Sequence, residues 1–250
     1  MQTSDYALKL DEITVRFGGL VAVNAAQFDI EPGARWAVIG PNGAGKTTLF
    51  KTVSGEQFPT SGKVSLFGED ITRLPVHRRA HRGIGRSYQV TNLFNDLTVE
   101  QNLMIAAQGL SRTRFRSWAP IAKSGPFHDQ VDRALDMVEL TSRRELIVGE
   151  MSHGEQRQLE LAMGLVCEPK VLLLDEPAAG LSASERVLMR RLIESLPRDL
   201  TIVLIEHDMN LALELVDWVV VLDNGNTIAT GYPNDIRNNQ TVQDVYLKSE

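Results

Sequence analysis

Apolar and polar residues alternate loosely over residues 8–17, where Leu8, Leu10, Ile13, Val15 and Phe17 stand among polar neighbours. Phe28 and Ile30 repeat the alternation ahead of Pro32-Gly33, and Val64 and Leu66 follow Gly62. Period-two stretches closed by turn residues predict strands of a small antiparallel β layer. A second pattern is the unbroken apolar run: Trp36-Ala37-Val38-Ile39, Val171-Leu172-Leu173-Leu174 and Thr201-Ile202-Val203-Leu204-Ile205. Such runs suit parallel strands covered on both faces. Between the last two, residues 185–196 place Val187, Leu188, Leu192 and Leu196 at helical spacing, which makes a βαβ unit. Trp218–Leu222 and Thr227–Thr230 flank Asp223-Asn224-Gly225-Asn226, and an Asn-Gly between two apolar runs predicts a hairpin. The stretch 97–165 differs: residues 99–108 are helix-like, and Val131, Ala134, Leu135 and Val138 fall on one helical face. Residues 111–127, with Gly and Pro breakers, are expected to be a loop or irregular helix between them. The expectation is an α/β protein with a small antiparallel layer and an inserted α-helical lobe.

Composition narrows this only a little. The chain has 250 residues, 43% hydrophobic and 23% charged, with a formal net charge of -6. That is ordinary globular composition, long enough for one or two domains, and its sign argues against a nucleic-acid partner. The single cysteine, Cys167, excludes an internal disulfide framework and a multi-cysteine zinc site and reads as a small core residue on a helix. No stretch approaches the roughly 18 apolar residues needed to cross a bilayer. The N-terminus has no basic-then-apolar secretory pattern, so the cytosol is the expected compartment.

The decisive chemistry follows Ile39. Gly40-Pro41-Asn42-Gly43-Ala44-Gly45-Lys46-Thr47-Thr48 is a strand–GxxxxGK[ST]–helix phosphate-binding loop. Gly40, Gly43 and Gly45 permit positive φ and close approach to a ligand, and the loop amides and helix N-terminus cradle anionic oxygens. Lys46 is placed for the β- and γ-phosphates and Thr47 for Mg²⁺. The second motif is the Asp175-Glu176-Pro177 that ends an apolar strand. Asp175 can hold Mg²⁺ directly or through water, and Glu176 can polarise the attacking water. The third is Ile205-Glu206-His207-Asp208 at the end of the adjacent strand, where His207 can donate to the γ-phosphate or the water. The fourth is Ser152-His153-Gly154-Glu155, a capping box that opens a helix. It reads either as a well-capped helix or as a second phosphate-binding surface. Gly154 in its first turn suggests close approach by another group.

In this order and spacing the motifs resemble the nucleotide-binding ATPase subunit of ABC transporters, over nearly the whole chain. The resemblance implies a P-loop NTPase core with its β layer over residues 1–96 and 166–250 and a helical lobe over 97–165. It implies Mg²⁺-dependent ATP hydrolysis, with Glu176, His207 and Gln89 catalytic and Thr47, Gln89 and Asp175 at the metal. Residues 151–155 correspond to the family signature, with His153 and Glu155 departing from the usual glycine and glutamine. Phe17 matches the aromatic that stacks on adenine, though alone it reads equally as a core strand residue. Ala179-Gly180-Leu181-Ser182 matches the loop passing between subunits, with Ser182 where many members have Asp.

The resemblance further implies two ATPase subunits, identical or paralogous, closing face to face on ATP, so that each site joins the loop of one to Ser152, Gly154 and Glu155 of the other. Its partners would be transmembrane permease subunits and, indirectly, a periplasmic solute-binding protein, which places the chain on the inner face of the cell membrane. Residues 83–103, the long segment before Val131, and residues 152–162, 178–181 and 245–247 are similar to ATPases of branched-chain amino acid importers, with urea and amide importers close by. The alternatives are a lipopolysaccharide-type exporter and a non-transport ABC ATPase; no sustained heptads and no second cassette point to the latter. Two basic clusters, Arg73 to Arg86 and Arg112, Arg114 and Arg116 around Phe115 and near Trp118, are either solvated faces or contacts to a membrane subunit or headgroups.

Overall fold

In the computed structural model, which describes residues 5–87, 93–110 and 125–247, the apolar runs become strands of two sheets. In chain order the elements are β1 (Leu8–Phe17), β2 (Leu20–Ile30), β3 (Arg35–Ile39), α1 (Lys46–Ser54), β4 (Ser61–Leu66), β5 (Glu69–Asp70), α2 (Val76–Ala80) and β6 (Ile84–Arg86). Next come α3 (Val99–Gly109), α4 (Pro126–Met137), α5 (His153–Leu165), β7 (Val171–Asp175), α6 (Ala183–Ser195) and β8 (Thr201–Ile205). The chain finishes with α7 (Met209–Leu215), β9 (Trp218–Asp223), β10 (Asn226–Gly231), α8 (Pro233–Arg237) and α9 (Gln240–Leu247). The alternating stretches form an antiparallel sheet in the order β2-β1-β4-β5. The continuous runs form a second sheet, β10-β9-β3-β8-β7-β6, in which only β10 is antiparallel to its neighbour.

Burial on both faces explains why these runs lack polar alternation. Leu172, Leu174, Ile202 and Leu204 pack toward α3, α4, α5 and α6, whereas Val171, Leu173, Val203 and Ile205 pack toward α1 and the antiparallel sheet. Ala37, Ile39, Val219 and Val221 are covered by α7, α8 and α9. The apolar core of α3–α5 is continuous with the underside of the parallel sheet, so the helical region and the sheet share one interior.

Two local details differ from expectation. α4 begins at Pro126, because proline is favoured in a first turn whose N–H groups are unpaired in any case. Cys167 lies in the turn after α5, not on a helix; it is partly buried, and its Sγ donates to the Ala106 carbonyl at 3.4 Å. The hairpin forms as its sequence predicts, with Asn224 and Gly225 both left-handed (φ 44° and 79°), the type I′ geometry. The basic residues 112, 114 and 116, Phe115 and Trp118 lie outside the described residues, as does Gln89.

Candidate active site

β3 delivers the chain into the 40–45 loop, and α1 leaves it at Lys46, with Gly45 as a left-handed N-cap. A side chain on Gly40 would place its Cβ 2.1 Å from the Leu222 carbonyl oxygen, and one on Gly45 would stand 2.3 Å from that of Ala22. These two glycines are therefore required by the protein's own backbone, which closes on the loop from β9 and β2. Gly43 differs: its φ is 82°, and among the described residues no atom beyond its chain neighbours lies within 4 Å of a Cβ built there. Of the three, it is Gly43 that presents bare backbone to open space. The hairpin braces the loop, with the Gly225 N–H donating to the Ala44 carbonyl at 3.0 Å.

The loop forms one wall of a cleft of about 380 Å³, which Glu176 and Phe17 also line. Phe17 is 49% exposed at the end of β1, so it is not a core residue of that strand. Lys46 is buried and its Nζ donates to the carbonyls of Gly40 (2.6 Å) and Pro41 (2.9 Å). Burial lowers its pKa from the ordinary lysine value, while Glu176 and Asp175 pull it back up. Thr47 and Thr48 line the same cleft beside it.

Asp175 closes β7, paired in register with Ile205 of β8. It is 3% exposed, and burial raises its carboxyl pKa against the pull of Arg86. Arg86 Nη2 donates to Asp175 Oδ2 at 3.0 Å, and Arg86 also pairs with Glu56. Among the described residues Asp175 Oδ1 has no hydrogen-bond partner. A buried anionic oxygen left with an open lone pair, beside the hydroxyl-bearing phosphate loop, fits a hard cation such as Mg²⁺.

Glu176 follows with φ 49°, a left-handed conformation costly for a side-chain-bearing residue, and its N–H donates to the Ile205 carbonyl at 3.0 Å. That bond turns the Glu176 side chain toward the cleft as the chain leaves the sheet. His207 stands two residues beyond the paired end of β8, its side chain 57% exposed, and it does not line the cleft. Between them sits Glu206, which the sequence reading passed over. It is 1% exposed and accepts from the Ala178 N–H at 3.3 Å. Burial, with Glu176 and Asp208 nearby, lifts its pKa to about 7.

Ser152 caps α5 as expected: its Oγ accepts from Glu155 N–H at 3.3 Å, and Glu155 returns the contact to the Ser152 N–H at 2.9 Å. The Ser152 N–H bond is the largest of the effects that lower the Glu155 pKa. The group that closely approaches Gly154 is the Glu185 carboxylate, which accepts its N–H at 3.1 Å; a Cβ there would stand 2.4 Å from Glu185 Oε1. Glu185 is held by the Ser182 hydroxyl and N–H, at 2.6 and 2.9 Å, in a second capping box that opens α6. Ser152, Gly154 and Glu155 line a depression with Glu185 and Leu188, separate from the phosphate-loop cleft. The chain thus presents two distinct surfaces, one around Lys46 and one around Ser152.

A family model described as ABC transporter matches residues 23–179, more than half of the chain. The chain belongs to the ABC transporter family. Among curated members of this ABC family, it is 38% identical to the high-affinity branched-chain amino acid transport ATP-binding protein BraF of Pseudomonas aeruginosa, over 96% of this chain and 97% of that protein. It is 36% identical to LivG, the corresponding protein of Escherichia coli K12, with the same coverage. It is also 32% identical to a probable LivG of Archaeoglobus fulgidus, over 97% of this chain and 96% of that one. Among solved structures, the ADP conformation of MJ1267, an ATP-binding cassette of an ABC transporter, superimposes with a TM-score of 0.86 at 26% identity, covering 96% of this chain and 98% of that one. In this chain an antiparallel and a mixed sheet flank α1.

Proposed function

We propose that this ABC ATPase binds Mg–ATP in the Phe17–Lys46–Glu176 cleft and hydrolyses it to drive import of branched-chain or other small amino acids, or amides such as urea. The observation that carries the catalytic part is the convergence of Gly43, Lys46, Thr47 and Glu176 on one cleft, with the open Asp175 oxygen beside the strand end that positions Glu176. In this reading the adenine base stacks on Phe17, and the loop amides from Asn42 to Thr48 receive the phosphates. Lys46 exchanges its two carbonyl partners for β- and γ-phosphate oxygens. Thr47, Asp175 and Gln89 would hold Mg²⁺, which when bound neutralises charge on the transferring phosphoryl group. Glu176 orients and polarises the water, and His207 donates to the γ-phosphate.

The separation of the Ser152 surface from the Lys46 cleft supports a two-subunit site, in which Ser152, Gly154 and Glu155 of a second ATPase subunit complete the ATP contacts. That subunit is a second copy or a paralogue. No helix among the described residues is long and apolar enough to cross a membrane, so the coupling runs through permease subunits, with a periplasmic solute-binding protein beyond them. An apolar groove of about 310 Å³, lined by Val76, Ala80, Ile84, Ala106, Leu110 and Met163, supports a permease contact where α2 and β6 meet α3 and α5. The amino-acid assignment follows the named transport role of the BraF and LivG relatives.

The test is phosphate release by the purified chain, with its companion subunits, against a Mg²⁺ titration. Turnover should require Mg²⁺ and vanish in Glu176→Gln, which should instead accumulate as an ATP-dependent dimer on size exclusion. Turnover that survives EDTA or the Glu176→Gln change would refute the site. In reconstituted vesicles, ATPase stimulation by a loaded binding protein should follow small amino acids or amides, and indifference to them would refute the importer assignment.

A further inference from the structure

Glu206 is a charged side chain in an unusual place. It follows the apolar run Ile202–Ile205 of β8, is sealed from solvent, and lies between the two groups assigned to hydrolysis. Its Oε1 accepts the Ala178 N–H at 3.3 Å, on the loop that begins with Glu176. Its Oε2 stands 3.8 Å from Nδ1 of His207. Catalytic hydrogen bonds are commonly long before substrate closes the site and tighten in the reacting complex.

The geometry points to Glu206 as a positioning residue for ATP hydrolysis: it shares one proton with His207 Nδ1 and so fixes which imidazole nitrogen carries hydrogen toward the γ-phosphate. This rests on the proposed roles of Glu176 and His207. The proton accounting is explicit. While the pair holds the shared proton, it exists either as a Glu206 carboxyl donating to a bare Nδ1 or as a Glu206 carboxylate accepting from an imidazolium Nδ1–H. In both forms Nε2 carries a hydrogen and can donate. When the shared proton leaves, the carboxylate keeps the one remaining imidazole hydrogen on Nδ1. Nε2 is then a bare lone pair and repels phosphate oxygen.

The charged groups around the pair set where this happens. Glu176 faces Glu206 from the loop after β7, and Asp208 faces it from its own loop; both are acidic and favour retention of the shared proton. Arg186 of α6 lies against Asp208, its Nη1 3.7 Å from Oδ2. The Ala178 and His207 N–H groups oppose the acidic pair by favouring the carboxylate. The balance puts the Glu206 transition at about 7, within the physiological range.

The experiment is a pH profile of kcat together with histidine NMR on the full chain. Glu206→Gln keeps an acceptor for Ala178 and offers a permanent N–H to His207 Nδ1, which locks hydrogen on Nε2. The wild type should lose turnover as pH rises past neutrality, and Glu206→Gln should move the midpoint of that loss upward by at least one pH unit. Superimposable alkaline limbs would overturn the inference. Long-range ¹H–¹⁵N spectra of the five histidines, with bound Mg–AMPPNP and His207 assigned through His207→Gln, read the tautomer without turnover. At pH 9 wild-type His207 should be the Nδ1–H tautomer, which free imidazole disfavours, and in Glu206→Gln it should be Nε2–H. An Nε2–H wild type overturns the inference whether or not the variant folds. Loss of turnover in Glu176→Gln tests the underlying hydrolysis separately.

Discussion

Replacing Glu206 by glutamine should change stability in a way that depends on pH, with a size set by the burial of one carboxyl. In the folded protein this group titrates at about 7, against 4.5 for the unperturbed side chain. The folded state therefore holds the proton more tightly than the unfolded chain. Stability from the neutral form is complete below 4.5 and is lost as pH rises through about 7. At about 1.4 kcal/mol per pH unit, that interval amounts to about 3 kcal/mol. Glutamine mimics the protonated carboxyl and has nothing to lose. The two proteins should be nearly equal in stability at pH 4.5, and the variant should be about 3 kcal/mol more stable at pH 8. Urea unfolding at half-unit pH steps reads this as a gap in midpoint that opens from near zero to about 1 M, for a slope of about 3 kcal/mol/M. A gap of constant size across the range would show that Glu206 does not titrate as its burial requires.

Lys46→Ala removes the cation buried against the phosphate loop and should weaken ATP binding by at least about tenfold, the worth of a charge-assisted hydrogen bond; fluorescent-nucleotide titration checks this, and unchanged affinity contradicts the cradle. A Ser152→Ala chain should be inactive with itself. Mixed with Glu176→Gln it should recover part of its turnover, because one of the two shared sites then carries neither defect; no recovery at any ratio speaks against shared sites. Arg86→Met strands the buried Asp175 carboxylate and should cost about 3–5 kcal/mol by denaturant unfolding at pH 7, with the loss shrinking as pH falls, because burial already favours the protonated carboxyl.

Much of the fold was legible because burial on two faces and burial on one face write different patterns. The runs at 36–39, 171–174 and 201–205 became β3, β7 and β8, and the alternation at 8–17 became β1. The adjacency of β7 and β8 followed from the helix between them, and it brings Asp175 level with Ile205. Less could be read where a residue's neighbour is distant in sequence. Gly40 and Gly45 were attributable to a ligand, but their tight contacts are Leu222 and Ala22. The group that crowds Gly154 is Glu185, thirty-one residues on. Glu206 offered one faint signal, an acid directly after four apolar strand residues. Its burial depends on the 176–178 loop folding over the end of β8, which no local periodicity encodes.

The bracing of the phosphate loop has a consequence for biosynthesis. Its backbone is clasped by Ala22 from near the start of the chain and by Leu222 and Gly225 from near its end. A ribosome-bound chain that has emerged only as far as α7 carries every residue of the phosphate motif yet lacks the strand and turn that hold it in shape. Long-range closures of this kind come late in folding. Nucleotide affinity should therefore appear only after the final hairpin clears the exit tunnel, so that unfinished chains do not sequester ATP during their own synthesis.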